Sequence, residues 1–308
     1  MQYAKAPLSI PDKAQRLLDR GLICDDPARL QHYLSHIGYY RLSAYWLPYE
    51  HPLTENQRRN HQFLPGTTLD AVLNLYILDR KLRLLVMDAI ERIEVAVRTR
   101  WAGALALRHG SHAHMQSDLF KNPWQHANDI AKVAAELVDS SETFIVHYRN
   151  SYDEPYLPPI WAIVETMSLG TLSRWFKNTK ETAAKKEVMQ GLKLPTIEVL
   201  EDVLHTLTPI RNICAHHGRL WNRRLAMKMP VIKRMRDRMV PPEALNHQAH
   251  YLFNYVVVIE HLMRSINPQG TWKKRFLELL ATVGECELRS MGFPADWEQR
   301  TPWQEVQP

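Results

Sequence analysis

The longest helical pattern in the sequence is the feature that most limits how this chain can fold. Apolar residues recur at three- and four-residue spacing from Thr67 or Thr68 to about Arg108, with no proline between them. At ~1.5 Å per residue, an unbent helix of this length is a rod of roughly 60 Å, long enough to span a helical bundle. Glycine is scarce, at 11 of 308 residues, and alternating apolar and polar runs are nearly absent. The sequence therefore predicts an all-α fold.

Shorter helical patterns flank the long one and indicate how the chain is organised. They cover residues 12–22, 27–37, 122–138, 159–176 with a bend near Gly170, 180–192, 249–266 and 271–291. An aromatic segment, residues 38–46, follows the first two helices, and either packs the N-terminal helices or forms a stacking platform for single-stranded RNA. We predict three parts: a small N-terminal helical subdomain (residues 1–66), a helical core (67–230) and a C-terminal helical extension (231–308).

The positive charge of the chain is concentrated in one segment. The net charge is +6, and residues 219–238, the basic segment, contain eight Lys and Arg residues against the single acid Asp237. This segment is either a surface that binds RNA phosphates or a solvated basic face. Trp221 lies within it and could stack on a base, as aromatic residues do in single-strand binding. No apolar run is long enough to span a membrane and the first residues lack a secretory signal, so we expect a cytoplasmic protein.

A polar motif, residues 208–222, immediately precedes and enters the basic segment. Thr208 and Pro209 either start a new helix, which would place Arg211 at an anion-binding N-terminus, or Pro209 kinks one continuous helix. In both geometries Asn212 and His216, four residues apart, share a helix face that Arg211 can reach. Neighbouring His216 and His217 point to different faces and no carboxylate lies at zinc-ligand spacing, so the pattern does not indicate a metal site. A buried polar helix face with structural histidines is the alternative interpretation.

These residue types suit RNA cleavage by attack of a 2′-hydroxyl on the adjacent phosphate. Histidine moves protons near neutral pH, and arginine stabilises the negative charge that develops on the phosphate. Arg211 and His216 are the candidates for these two roles, and Asn212 would position the motif. His217, Arg219, Trp221, Arg223 and Arg224 are the candidate substrate-binding residues.

The motif resembles the Arg-x(4 to 6)-His motif of HEPN ribonucleases. Its surroundings, Arg211 to Asn222, resemble the signature of the Abi-like abortive infection proteins of AbiD/AbiF type. Further blocks agree with that family in order and spacing: residues 37–46, 79–83, 90–94 with Arg98, and 159–161 with Glu165 and 168–170. The resemblance covers about residues 5–224 and does not clearly extend over the last 80 or so.

The resemblance implies an all-α HEPN bundle and a metal-independent endoribonuclease, without a cofactor, in bacterial defence against phage. It also implies a site that pairs two HEPN units, and because the chain contains one such motif, this requires a homodimer. AbiF-type proteins are similar to the HEPN domains of type VI CRISPR effectors, which implies a non-coding RNA partner. The alternatives are a non-catalytic RNA-binding protein and a toxin–antitoxin component that acts by binding alone.

Two groups outside the motif complete the set of candidates. Glu165 is expected to orient Arg211 from a neighbouring helix, because a buried guanidinium is usually paired with a carboxylate. Glu91 and Glu94, near Arg92 and Arg98, are expected to form an intrahelical ion-pair network. The histidines at positions 109, 112 and 114 either bind a metal adventitiously or belong to a polar loop.

Overall fold

The computed structural model describes residues 6–52 and 60–304. Within these ranges the chain forms α-helices and short 3-10 helices, and its only β-type pairings are isolated bridges, which confirms the predicted all-α fold. The α-helices are α1 Ile10–Asp19, α2 Pro27–His36, α3 Tyr39–Trp46, α4 Leu69–His109, α5 Pro123–Val138, α6 Thr143–Ser151, α7 Ile160–Thr166, α8 Leu169–Asn178, α9 Thr182–Gly191, α10 Ile197–Ala215, α11 Phe253–Ile266, α12 Trp272–Leu280 and α13 Glu285–Ser290.

The long helix α4 has nearly the limits that its hydrophobic pattern predicts. It begins after Thr68, whose side-chain oxygen accepts a hydrogen bond from the Ala71 amide at 3.1 Å, as an N-cap does. Ile90, Val97 and Trp101 lie on its buried face. The described helices include none that is both long enough and apolar enough to cross a membrane.

By the compactness of their contacts, the residues divide into two units, Met1–Lys81 and Leu82–Pro308. In the first unit the aromatic segment is mainly core: Tyr45 is buried and donates a hydrogen bond to Asp79 at 2.6 Å, and Trp46 packs edge-on against Tyr39. Tyr40, in contrast, is 92% exposed. The three-part organisation, with limits at residues 66 and 230, stays a prediction.

In the second unit, α10 is the helix that positions the motif. It packs most extensively against α8, and at Gly170 the two helices approach so closely that an added Cβ would lie 3.1 Å from Thr208 Cγ2. Pro209 lies inside α10, so the continuous helix is observed and the new N-terminus near Arg211 is not. The Thr208 hydroxyl donates to the Leu204 carbonyl at 2.9 Å, in the turn that precedes the proline.

Two predicted helices are interrupted in the structure. The pattern over residues 159–176 forms α7 and α8, and the break falls at Met167 and Ser168 because the Ser168 side chain accepts from the Thr171 amide at 3.2 Å. The prediction of one helix over residues 271–291 was wrong: the chain leaves α12 through Ala281, and Gly284, in an extended conformation, precedes α13. The N-cap at Ser168 and the extended Gly284 each stop a helix that apolar periodicity alone would continue.

Candidate functional site

The end of α10 determines where the motif side chains point. The helix ends in a Schellman motif, in which the Gly218 amide donates to the Ile213 carbonyl at 2.8 Å and the His217 amide to the Cys214 carbonyl at 3.1 Å. His217 occupies the left-handed position, with φ of 55°, that glycine most often takes. Arg83, from α4, donates to the Gly218 carbonyl at 3.4 Å. The turn that follows His216 is thus held by its own backbone and by α4.

Arg211 is held from inside the protein by a buried carboxylate. Its Nε lies 3.6 Å from Oε2 of Glu94, a residue of α4 that is 5% exposed. The Arg211 side chain as a whole is 28% exposed, and its buried Nε makes no hydrogen bond to the described residues, so the contact with Glu94 is an ion pair only. Glu94 therefore pairs with the buried edge of the guanidinium, while the exposed part of the Arg211 side chain is accessible to an anion.

Glu94 also belongs to a chain of ion pairs that links three helices. Arg98 pairs with Glu94 one turn earlier on α4, donates to the Met167 carbonyl between α7 and α8, and lies 3.7 Å from Glu165. The expected contact of Glu94 with Arg98 is confirmed. Glu165, however, faces Arg98, so the carboxylate that orients Arg211 is Glu94, because α10 places Arg211 against α4.

The sequence contained a signal for this role of Glu94. On α4, positions 90, 93, 94, 97 and 101 share the buried face, and Glu94 is the only charged residue among them. A carboxylate on an apolar helix face requires a cation from the same or a neighbouring helix. Because Arg98, four residues later, already provides a cation on the same helix, the sequence did not indicate that Glu94 also pairs with Arg211.

Asn212 and His216 open into a cleft of about 560 Å³ on another side of α10. The cleft is lined by residues from the last turns of α10, by Gly218, by the segment Arg223 to Met227 and by Tyr255 of α11. Arg211 is not among the lining residues. The structure thus brings together Asn212, His216, Arg223 and Arg224, and it directs Arg211 towards Glu94 instead.

The remaining candidate residues are not among those that line the cleft, and their environments differ. His217 is exposed and Arg219 is half-buried, and the Arg223 guanidinium donates to the Arg219 carbonyl at 3.3 Å. Trp221 is 1% exposed, so its predicted role in stacking on a base was wrong. The indole belongs to the core, as large aromatic side chains usually do.

The basic segment combines a buried apolar side with exposed cations. Six of its apolar side chains are buried: Leu220, Trp221, Leu225, Met229, Ile232 and Met235. Six of its basic residues are exposed: Arg223, Arg224, Lys228, Lys233, Arg234 and Arg236. The segment is therefore anchored in the protein by its apolar residues while its cations face solvent.

The histidines that follow α4 have separate environments. His109 lies 3.5 Å from Glu181, and His112 bonds with the Leu157 carbonyl at 3.1 Å. His114 is fully buried, and burial lowers its pKa to about 3. Among the described residues, no three His, Cys, Asp or Glu side chains are placed together so that they could hold a metal ion.

Comparison with known proteins assigns the family. The family model described as Abi-like protein matches residues 32–222, more than half of the chain. The chain belongs to the Abi-like protein family. This membership suggests a role in abortive infection, and the matched residues of this Abi-like protein include Arg211, Asn212 and His216 but end before Arg223. No curated protein and no solved structure matches the chain.

Proposed function

We propose that this Abi-like protein is a metal-independent endoribonuclease of the HEPN type that acts in abortive infection against phage. The observation that carries the proposal is the arrangement at the end of α10. Arg211 pairs through its Nε with Glu94 and is 28% exposed, and His216 opens one turn later into a cleft that also contains Arg223 and Arg224.

In the proposed reaction, the 2′-oxygen of a ribose attacks the adjacent phosphorus atom. A base accepts the proton of the 2′-hydroxyl, the new 2′-O–P bond forms, the P–O5′ bond breaks, and an acid donates a proton to the leaving 5′-oxygen. The products are a 2′,3′-cyclic phosphate and a 5′-hydroxyl end. Imidazole is suited to both proton transfers near neutral pH, and the guanidinium of Arg211 stabilises the charge on the phosphate oxygens.

The two proton transfers take place on opposite sides of the phosphorus atom, so one imidazole is poorly placed to perform both. We therefore propose a homodimer in which His216 of each protomer contributes to one composite site. Light scattering at micromolar concentration tests this part separately, and a monomer would refute it.

The experiment that tests the activity compares variants on single-stranded RNA in the presence of a chelator. We expect Arg211→Ala and His216→Ala to lower the cleavage rate by about 100-fold or more, since each removes a group that acts on the reacting atoms. His205→Ala, an exposed histidine on the same helix, and Arg289→Ala, an exposed arginine on α13, are the matched controls. Equal cleavage by all of these proteins would refute the assignment.

A second function is favoured by one observation, the absence of Arg211 from the residues that line the cleft. In this alternative the protein binds RNA without cleaving it, and the exposed cations of the basic segment provide the affinity. Co-purification with a discrete RNA that survives high salt, together with no detectable nuclease activity, would support this alternative over the nuclease.

A further inference from the structure

The cleft beside His216 is lined by both polar and apolar groups. Exposed Arg223 and Arg224, together with Asn212 and His216, supply its polar groups. Its apolar part is made of side chains from α10, from the segment that follows Arg224 and from α11: Pro209, Ile210, Ile213, Leu225, Met227 and Tyr255. A pocket that combines cations with an apolar surface suits a ligand that has both an anionic part and a flat apolar part.

The lining segment from Leu225 to Met227 is fixed in place by hydrogen bonds to His250 and to Tyr255 of α11. The Leu225 amide donates to the His250 carbonyl at 2.9 Å, and the His250 ring pairs with the Leu225 carbonyl at the same distance. The Tyr255 hydroxyl donates to the Met227 carbonyl at 2.5 Å. Because these bonds hold both ends of residues 225–227, the cleft is a built feature of the fold and does not depend on a mobile loop.

The volume of the cleft, about 560 Å³, lies within the ~300–1,000 Å³ typical of pockets that bind small molecules. An unpaired nucleotide has the required divided chemistry, because its phosphate is anionic and its base is a flat ring with polar edges. Proteins that recognise single-stranded RNA bury splayed bases in this way and contact the base edges with polar side chains. Asn212, which carries both a donor and an acceptor, is placed to contact such an edge.

We propose that this cleft holds one unpaired base of a single-stranded RNA next to the phosphate that is cleaved, so that the cleft selects the nucleotide at that position. This inference rests on the proposed function. The residues that act on the phosphate lie within the segment that matches the family, residues 32–222, whereas Arg223 to Met227 and Tyr255 lie beyond it.

The test fills the cleft and measures binding apart from cleavage. Ala226 lines the cleft and is exposed, so Ala226→Trp narrows the cleft without disturbing the core. Ala135→Trp, at an exposed position on α5 outside the cleft, is the matched control. The probes are fluorescein-labelled 2′-O-methyl oligomers of A, C and U, which lack the attacking hydroxyl, and the readout is the dissociation constant from fluorescence anisotropy.

We expect the wild-type protein to bind one of the three oligomers at least about tenfold more tightly than the weakest. Ala226→Trp should abolish that preference, and Ala135→Trp should retain it. Equal binding of all three oligomers by the wild type, or an unchanged preference in Ala226→Trp, would overturn the proposal. If Ala226→Trp does not fold by circular dichroism, Ala226→Phe, which fills the cleft with a smaller ring, replaces it with the same expected outcome.

The result also separates this inference from the proposed function. Cleavage of unmodified RNA, and its dependence on Arg211 and His216, tests the nuclease. A base preference that is lost in Ala226→Trp, in a protein that does not cleave, would refute the nuclease and retain the base-binding cleft. Cleavage that depends on His216 but shows no base preference would retain the nuclease and refute the cleft.

Discussion

Replacing Glu94 with glutamine should loosen Arg211 and lower both stability and activity. The substitution keeps the shape of the side chain and removes its charge, so that half-buried Arg211 and Arg98 lose the carboxylate they share. At an effective dielectric constant of ~20, two unit charges 3.6 Å apart interact by about 5 kcal/mol. Solvent reaches part of Arg211, Arg98 keeps Glu165 and the Met167 carbonyl, and glutamine can still accept a hydrogen bond.

After these compensations, we expect Glu94→Gln to lower the free energy of unfolding by about 2 kcal/mol. For a unit of this size, that corresponds to a Tm lower by about 4–8 °C. We also expect RNA cleavage to fall about 10- to 100-fold, because a guanidinium displaced by ~1 Å no longer matches the transition state.

The matched control is Glu91→Gln, which removes an exposed carboxylate from the same helix. Thermal unfolding by circular dichroism and cleavage of single-stranded RNA in the presence of a chelator measure the two effects. A Glu94→Gln protein that is as stable and as active as Glu91→Gln would refute the reasoning that Glu94 positions Arg211.

Three further predictions concern the buried groups. Because burial lowers the pKa of His114 to about 3, below the ordinary value of 6.5, the unfolded state takes up the proton first and stability is lost as the pH falls below about 6.5. At pH 5 the free energy of unfolding is lower by about 2 kcal/mol for this reason, and His114→Leu should remove the difference. Urea titrations at pH 7 and pH 5 measure it. An equal loss in both proteins would contradict the prediction. Lys185→Met should lower the free energy of unfolding by about 3 kcal/mol because it leaves the buried carboxylate of Glu201 without its closest partner. Adding Glu201→Gln should recover part of the lost stability in the same urea titrations. No recovery would contradict the pairing. Trp221→Phe should bind RNA within about twofold of wild type in an anisotropy titration, since the ring is buried, and a tenfold weaker complex would mean that the indole contacts RNA.

The helices could be predicted from the sequence where apolar periodicity and caps agree, and less well where one local residue decides. The limits of α4 and α5 follow from long apolar stripes that begin at Thr68 and Asn122. Pro209 left two geometries open, since the cost of an internal proline, ~3 kcal/mol, is offset by packing of α10 on α8 that local sequence does not reveal.

The sequence could predict which site residues share a face of α10, but not which other helices those residues contact. The spacing of Asn212 and His216 places both on one helix face, and the structure puts both in one cleft. Whether Arg211 faces Glu94 or Glu165 depends on which helix packs against α10. Whether Trp221 is buried depends on how the basic segment packs against the rest of the protein. Both are contacts between residues far apart in sequence, which spacing along the helix cannot report.

The measurement that tests the central claim most directly is the chemistry of the RNA ends produced by the chelator-treated protein. We expect new 5′-hydroxyl and 2′,3′-cyclic phosphate ends, formed by the wild type and by His205→Ala but not by His216→Ala. Ends that carry a 5′-phosphate, or cleavage that persists unchanged in His216→Ala, would contradict it.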